Sequence, residues 1–367
     1  MSFADVLEKY NDFDYNTYFS SVTKNDILKV LKKSKLDVND YLVLLSPAAS
    51  ECLEEMAQRA NRLTIQHFGK TVLLYTPMYL SNFCVNKCLY CSFNTEHNIS
   101  RRKLNKSEIK KEAEAISKTG IKHILVLTGE SRQETPVSYI LDAVKILNKY
   151  FHSISIEIYP LTGEEYRQMI DAGVDGLTIY QEVYDEGTYK KVHVKGPKKD
   201  YQFRLKAPER ACEQKIRTVN IGALLGLAHW RKEAFKTGLH ASYLQETYPD
   251  VEVSISLPRI RPHVGSYDNI YDVKDKELVQ ILLAFKNFIP YGGVTISTRE
   301  EQAFRDKLVP LGVTKMSAGV MTSVGGHSAK KEETSQFQIG DIRSVDEIKE
   351  AIFAIGYQPI LKDWLKL

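Results

Sequence analysis

A chain of 367 residues, 43% hydrophobic and 26% charged, carries enough apolar side chains for a large core, which excludes a mainly disordered polymer. Its 50 basic and 46 acidic residues give a net charge of +4 and are interspersed along the chain, which excludes the basic footprint of a nucleic-acid binder. No apolar stretch approaches a membrane span, and Asp5 and Glu8 stand where a secretory leader needs an apolar core, so a cytoplasmic setting with reduced thiols is expected.

Residues 1–70 are expected to form a helical extension. Its clearest helix opens at Ser46-Pro47 and runs to about Phe68, with Cys52, Leu53, Met56, Ala57 and Ala60 on one face. Cys52 reads there as a core thiol. From residue 71 the pattern changes to short β-rich runs, at 71–76, 121–127, 153–159, 176–181, 218–224, 251–257, 293–298 and 313–317. Amphipathic helices are expected between them, at 106–119, 137–150, 163–172, 208–216, 232–247, 276–288 and 301–309. The first of these opens on Asn105 with Glu108 as a capping box and ends at Gly120. Cys212 falls on the helix at 208–216 as a second buried thiol.

Eight strand–helix units predict an α/β fold: a (β/α)8 TIM-type barrel over 71–320, with 321–367 as a C-terminal extension packed on it. In such a barrel the chemistry sits where strands end and helices begin. Thr128-Gly129-Glu130 follows the second strand, Glu182 the fourth, Arg259 and Arg261 the sixth and Arg299 the seventh, while Ser317 ends the eighth. The loop after the first strand holds Cys84, Cys88 and Cys91 in the spacing CxxxCxxC, with Tyr90 before the last cysteine. A structural zinc site closes with four ligands, and only His97, read as a loop residue, stands near enough to be a fourth. Three thiolates instead suit a 4Fe-4S cluster with one iron left open to a small chelating ligand. The basic run Arg101-Arg102-Lys103 after the cysteines reads as a solvated loop.

The cysteine spacing with its aromatic is the signature of the radical-SAM superfamily, and longer stretches narrow the resemblance. LYTPMYLSNFCVNKCLYCSF, LTGES, IEIYPL, GLTIYQEVYDEGTY, GALLGL, SISLPRIRP, ISTREEQAFRD, MSAGV and the terminal KDW resemble the tyrosine lyase family of thiamine thiazole biosynthesis (ThiH, 2-iminoacetate synthase). The resemblance implies a radical-SAM barrel with one 4Fe-4S cluster on Cys84, Cys88 and Cys91 and S-adenosyl-L-methionine (SAM) as cofactor. It implies cleavage of the Cα–Cβ bond of L-tyrosine to 2-iminoacetate (dehydroglycine) and p-cresol, with release of methionine and 5'-deoxyadenosine. A flavodoxin- or ferredoxin-type electron donor and a complex with the thiazole synthase ThiG are implied as partners.

By the same resemblance, Tyr90 and Thr128-Gly129-Glu130 belong to the SAM site. Glu182 matches the acid at the SAM ribose, Arg204 the arginine at its carboxylate, and Gly222 and Gly226 the strand segment beside adenine. Arg299 with Ser317 is the expected clamp for the tyrosine carboxylate, and Phe93 is expected either beside the radical path or in core packing. Arg259 and Arg261 serve either the pocket or the barrel rim. Two positions depart from the family pattern: Ser92 stands where glycine is common, and His327 where tyrosine is common. Hydrogenase-maturation tyrosine lyases carry further cluster cysteines, whereas only Cys212 follows Cys91 here. The remaining alternatives are a tryptophan lyase-like enzyme of the same subfamily and a non-catalytic iron-sulfur scaffold.

Overall fold

The computed structural model describes residues 2–328 and 335–362; Asp363 and Trp364 of the KDW stretch lie outside the described residues. The first 70 residues form short helices at Phe3–Glu8, Tyr15–Ser21, Lys24–Val30 and Val38–Leu44, followed by the longer Leu53–Phe68. Thr23 with Asp26 and Asp37 with Asp40 close capping boxes that open the third and fourth of these helices. The long helix begins at Leu53 rather than at Pro47. Residues Pro47–Glu51 wind as a tighter 3₁₀ turn, and Cys52, at φ −118° and ψ 24°, closes it by donating to the Ala49 carbonyl. Met56 and Ala60 are fully buried, and the helix packs on two outer barrel helices, Asp275–Phe288 and Gln302–Gly312. Arg59 fixes that contact by donating from Nη1 to the backbone and side-chain oxygens of Asn287 at 3.1 and 2.8 Å.

Eight parallel strands follow: β1 Thr71–Ser81, β2 His123–Thr128, β3 Ser153–Glu157, β4 Gly176–Glu182, β5 Thr218–Ala223, β6 Glu252–Ser256, β7 Gly293–Ile296 and β8 Lys315–Ser317. Each pairs with its neighbour in sequence, and β8 closes the barrel on β1 with Tyr75 opposite Ser317. The expected count and order of strands are what the structure contains. β1 runs further than expected because its two halves serve different neighbours. Leu73–Tyr75 pair with β8, and Thr76–Ser81 with β2, as strand tilt in a closed barrel requires.

Two short pairings carried no periodic signal. Gln358–Ile360 adds in parallel to the base of β1, with Pro359 tolerated at that edge. Lys87–Cys88, inside the cysteine loop, pairs antiparallel with His193–Lys195. The extension from 321 also contributes the helix Val345–Ala354, capped by Ser344 with Glu347. Among the described residues no helix is long and apolar enough to cross a membrane.

Candidate active site

The loop after β1 is shaped by its own polar side chains. Asn82 donates to the Ser100 carbonyl at 2.8 Å and accepts from the Arg102 amide at 2.7 Å. Arg101 donates from Nη1 to the carbonyls of Asn82 and Phe93 at 2.7 and 2.9 Å, and from Nη2 to that of Asn94 at 2.6 Å. The expectation of a solvated basic loop fails at this residue. Its planar fork matches inward-turned carbonyls that no strand satisfies. Asn94 in turn donates to the Cys88 carbonyl at 3.1 Å.

Ser92 is fully buried and keeps a negative φ, and its hydroxyl accepts from the Val264 amide at 2.9 Å. Serine therefore ties the cysteine loop to the loop after β6. His327 donates from Nε2 to the Pro77 carbonyl at 2.9 Å.

Cys84, Cys88 and Cys91 share the wall of a cavity of about 100 Å³ with Thr128, Gly129, Glu130, Glu182, Lys198 and Arg204. The loop presses on the end of β2. A Cβ on Gly129 would lie 2.3 Å from the Phe83 carbonyl oxygen, so only glycine fits. The Val85 amide donates to the Glu130 carbonyl at 2.9 Å, and Asn86 to the Glu130 carboxylate at 2.6 Å. The Thr128 hydroxyl is buried beside this cavity with no protein partner, an orphan that a bound polar group would satisfy. Tyr90 donates to His193 Nε2 at 2.7 Å, because His193 Nδ1 is committed to the Tyr189 carbonyl at 2.9 Å. Burial pushes that imidazole down to about 2, so it stays neutral. Phe93 also lines the cavity, edge-on to Tyr79 at 6.1 Å.

Burial pushes the Cys88 thiol well up and Cys91 up to about 11, so neither ionises at neutral pH without a strong cation beside it. Soft thiolates facing a cavity bordered by an orphan hydroxyl fit an iron-sulfur cluster with a polar ligand on its open iron. Among the described residues no three His, Cys, Asp or Glu side chains converge on a single ion.

Glu182 ends β4 at φ +68°, a left-handed conformation that is costly for a residue with a Cβ, where the pairing with β5 slips. Its Oε1 accepts from Lys198 Nζ at 2.7 Å and Arg204 Nη2 at 3.4 Å, with none of the three side chains more than 14% exposed. Arg204 also donates to the Tyr180 carbonyl at 2.7 Å. A surface ion pair would be strongly exposed; this one is not. Burial opposes ionisation of Glu182, but Lys198 and Arg204 outweigh it and hold the carboxyl below its usual range.

Glu182→Gln leaves two buried cations uncompensated, so a loss of about 3–5 kcal/mol in urea unfolding is expected. Because the folded value is depressed, the carboxylate's contribution is fully present above the ordinary value of 4.5 and disappears as pH falls through the lower folded value. Unfolding curves of wild type and variant should therefore converge in acid.

A second cavity, of about 60 Å³, lies deeper in the barrel and is lined by Tyr75, Tyr79, Glu157, Tyr180, Arg299 and Ser317 among others. It shares Tyr79, Leu127, Glu157 and Gln336 with the cysteine cavity, so the two are adjoining chambers. Tyr79 donates to Gln336 at 2.7 Å across that boundary. Arg299 stacks over the Phe337 ring at 3.5 Å from its centroid and donates to the Arg259 carbonyl at 3.4 Å. Ser317 Oγ accepts from the Thr298 amide at 3.0 Å. At the boundary, burial and then Glu182 push the Glu157 carboxyl up to about 7, against the pull of Arg299.

The other sequence candidates lie elsewhere. Arg259 pairs with Glu300 and with Asp275 at 2.8 Å, and Arg261 with Glu301 at 3.3 Å; neither lines a chamber, so the rim reading holds for both. Gly222 and Gly226 line neither chamber. A Cβ on Gly222 would lie 2.6 Å from the Ser256 carbonyl oxygen, and Gly226 sits at φ +114°. Lys198 and Glu157 were missed by sequence reasoning. Lys198 falls in a short surface-type segment, whereas a lone acid closing the apolar strand ISIE was a usable signal for Glu157.

Residues 78–236 match the Radical SAM superfamily model, and residues 256–358 the Biotin and Thiamin Synthesis associated domain. Over 99% of its length the chain is 37% identical to 2-iminoacetate synthase of Escherichia coli (strain K12) and 36% identical to that of Salmonella typhimurium, covering 97% of each. The hydrogenase maturase HydG superposes at a TM-score of 0.91 with 30% identity, covering 96% of this chain and 80% of that one. Methylornithine synthase, at 0.73 and 19% identity over 91% of this chain and 97% of that one, shares the fold. Full-length identity of this order, on a barrel that gathers three cysteines and Thr128-Gly129-Glu130 around one chamber, shows that the chain belongs to the 2-iminoacetate synthase family of radical-SAM enzymes.

Proposed function

We propose that the chain is a radical-SAM lyase that cleaves the Cα–Cβ bond of L-tyrosine to 2-iminoacetate and p-cresol, with 5'-deoxyadenosine and methionine, for thiamine thiazole biosynthesis. The observation that carries this reading is the pair of adjoining chambers, one bordered by thiols and the other by Arg299 and three tyrosines. Cys84, Cys88 and Cys91 would hold a single 4Fe-4S cluster, and Tyr90, Thr128, Gly129, Glu130, Glu182 and Arg204 would surround SAM. Together these groups supply a hydrogen-abstracting carbon radical when bound. The chain's own part is positioning. Arg299 and Ser317 orient the tyrosine carboxylate, Phe93 and Tyr79 wall the path between the chambers, and the closed barrel keeps water and stray hydrogen donors away. Gly222 and Gly226 remain assigned to the adenine side on family resemblance.

The same reading takes residues 71–320 as the catalytic barrel in a cytoplasmic protein, with 1–70 and 321–367 as coverings. Its partners are a flavodoxin- or ferredoxin-type reductant and ThiG. Anaerobic incubation of the reconstituted enzyme with dithionite, SAM and either tyrosine or tryptophan tests it. p-Cresol from tyrosine and no indolic product from tryptophan are expected; cleavage of tryptophan alone would reverse the substrate assignment.

A further inference from the structure

We propose that Glu157 binds the α-amino group of the substrate, holding that nitrogen at the boundary between the two chambers; this rests on the amino-acid lyase reading above. Glu157 is the last residue of β3, opposite Leu127 of β2, and its side chain borders both chambers. Among the described residues its carboxylate has no hydrogen bond or ion pair. The acid nearest in role, Glu182, has both Lys198 and Arg204. The Glu157 side chain is half-buried and faces the two cavities rather than packed protein, so its oxygens are open to a donor that a ligand brings.

The chamber also contains the complementary charge. Arg299 and Glu157 line one cavity and each acts on the other's ionisation. An α-amino acid carries a carboxylate and an ammonium on a single carbon, so a cavity that offers one guanidinium and one free carboxylate matches it at both ends. With the carboxylate on Arg299, the ammonium meets Glu157, and Glu157 is the member of the pair that also borders the cysteine chamber. The phenol ring is then left to the apolar and tyrosine-lined part of the cavity.

The test uses reconstituted holoenzyme with SAM under non-reducing conditions and measures binding by calorimetry. The ligands are L-tyrosine and 3-(4-hydroxyphenyl)propionate, which keeps the carboxylate and phenol but lacks the amino group. Glu157→Gln is expected to bind tyrosine roughly 30-fold more weakly or worse than wild type and to bind the desamino ligand no more weakly. Glu157→Asp, which retains the charge on a shorter arm, is expected to lie between and serves if the amide variant does not fold. Equal losses for both ligands, or no loss for tyrosine, overturn the proposal. Wild type that fails to bind tyrosine at all overturns the lyase reading instead.

Discussion

Cys88→Ala protein, reconstituted anaerobically with iron and sulfide, is expected to form 5'-deoxyadenosine only at background level and to lose its iron-sulfur absorbance. The loop that carries Cys88 does not depend on its sulfur for shape. Its backbone pairs with His193, its carbonyl accepts from Asn94, and Arg101 holds the surrounding carbonyls. The substitution therefore removes one thiolate from a folded loop, and two thiolates cannot hold a cluster that needs three. Cys52→Ala and Cys212→Ala are the matched controls. Both thiols are buried away from either chamber, so iron content should persist in both. A Cys88→Ala protein that still cleaves SAM would remove the cluster from this loop.

The second large effect is expected at Arg299. Its guanidinium is held by Phe337 on one face and spends one N–H on the Arg259 carbonyl, leaving the rest of a planar fork directed to the chamber it lines. A fork of that kind binds a carboxylate through two parallel hydrogen bonds. Burial lowers its pKa, yet a guanidinium stays protonated throughout the accessible pH range. Truncation to alanine removes the charge partner from an enclosed site. Such a change costs about 2–5 kcal/mol, or roughly 30-fold to several thousandfold in affinity. Arg299→Lys keeps the charge but not the fork and should recover only part of the loss. SAM affinity should be unchanged in both, because Arg299 borders the deeper chamber and not the cysteine chamber. Unaltered tyrosine affinity in Arg299→Ala would rule out the clamp.

Much of the architecture was legible because it rests on local periodicity. Each barrel strand is a short apolar run, and Asn105 with Glu108 announces the helix that follows. The features that escaped are those set by long-range contact. The far half of β1 is fixed by β2 rather than by its own pattern. The Lys87–Cys88 pairing with His193–Lys195 joins segments about a hundred residues apart and is too short to have a period.

The site divides in the same way. Cysteine spacing is local and could be read directly, while the role of Thr128-Gly129-Glu130 came from family resemblance. The burial of Glu182 between Lys198 and Arg204, and its left-handed backbone, exist only once the loops after β4 fold back over the barrel mouth. Arg101 was misread because a basic run gives no sign of whether carbonyls turn toward it. The choice left open for Arg259 and Arg261 needed the positions of Asp275, which opens a helix, and of Glu300 and Glu301, which follow β7.

The central claim, cleavage of tyrosine between Cα and Cβ, is tested most directly by isotope tracing in the anaerobic reaction with SAM and reductant. Tyrosine labelled with carbon-13 at Cβ should place the label in the methyl group of p-cresol. Tyrosine labelled at Cα should place it in 2-iminoacetate, recovered as glyoxylate after hydrolysis. Enzyme with an intact cluster that yields neither product, or p-cresol labelled from Cα, would contradict the account.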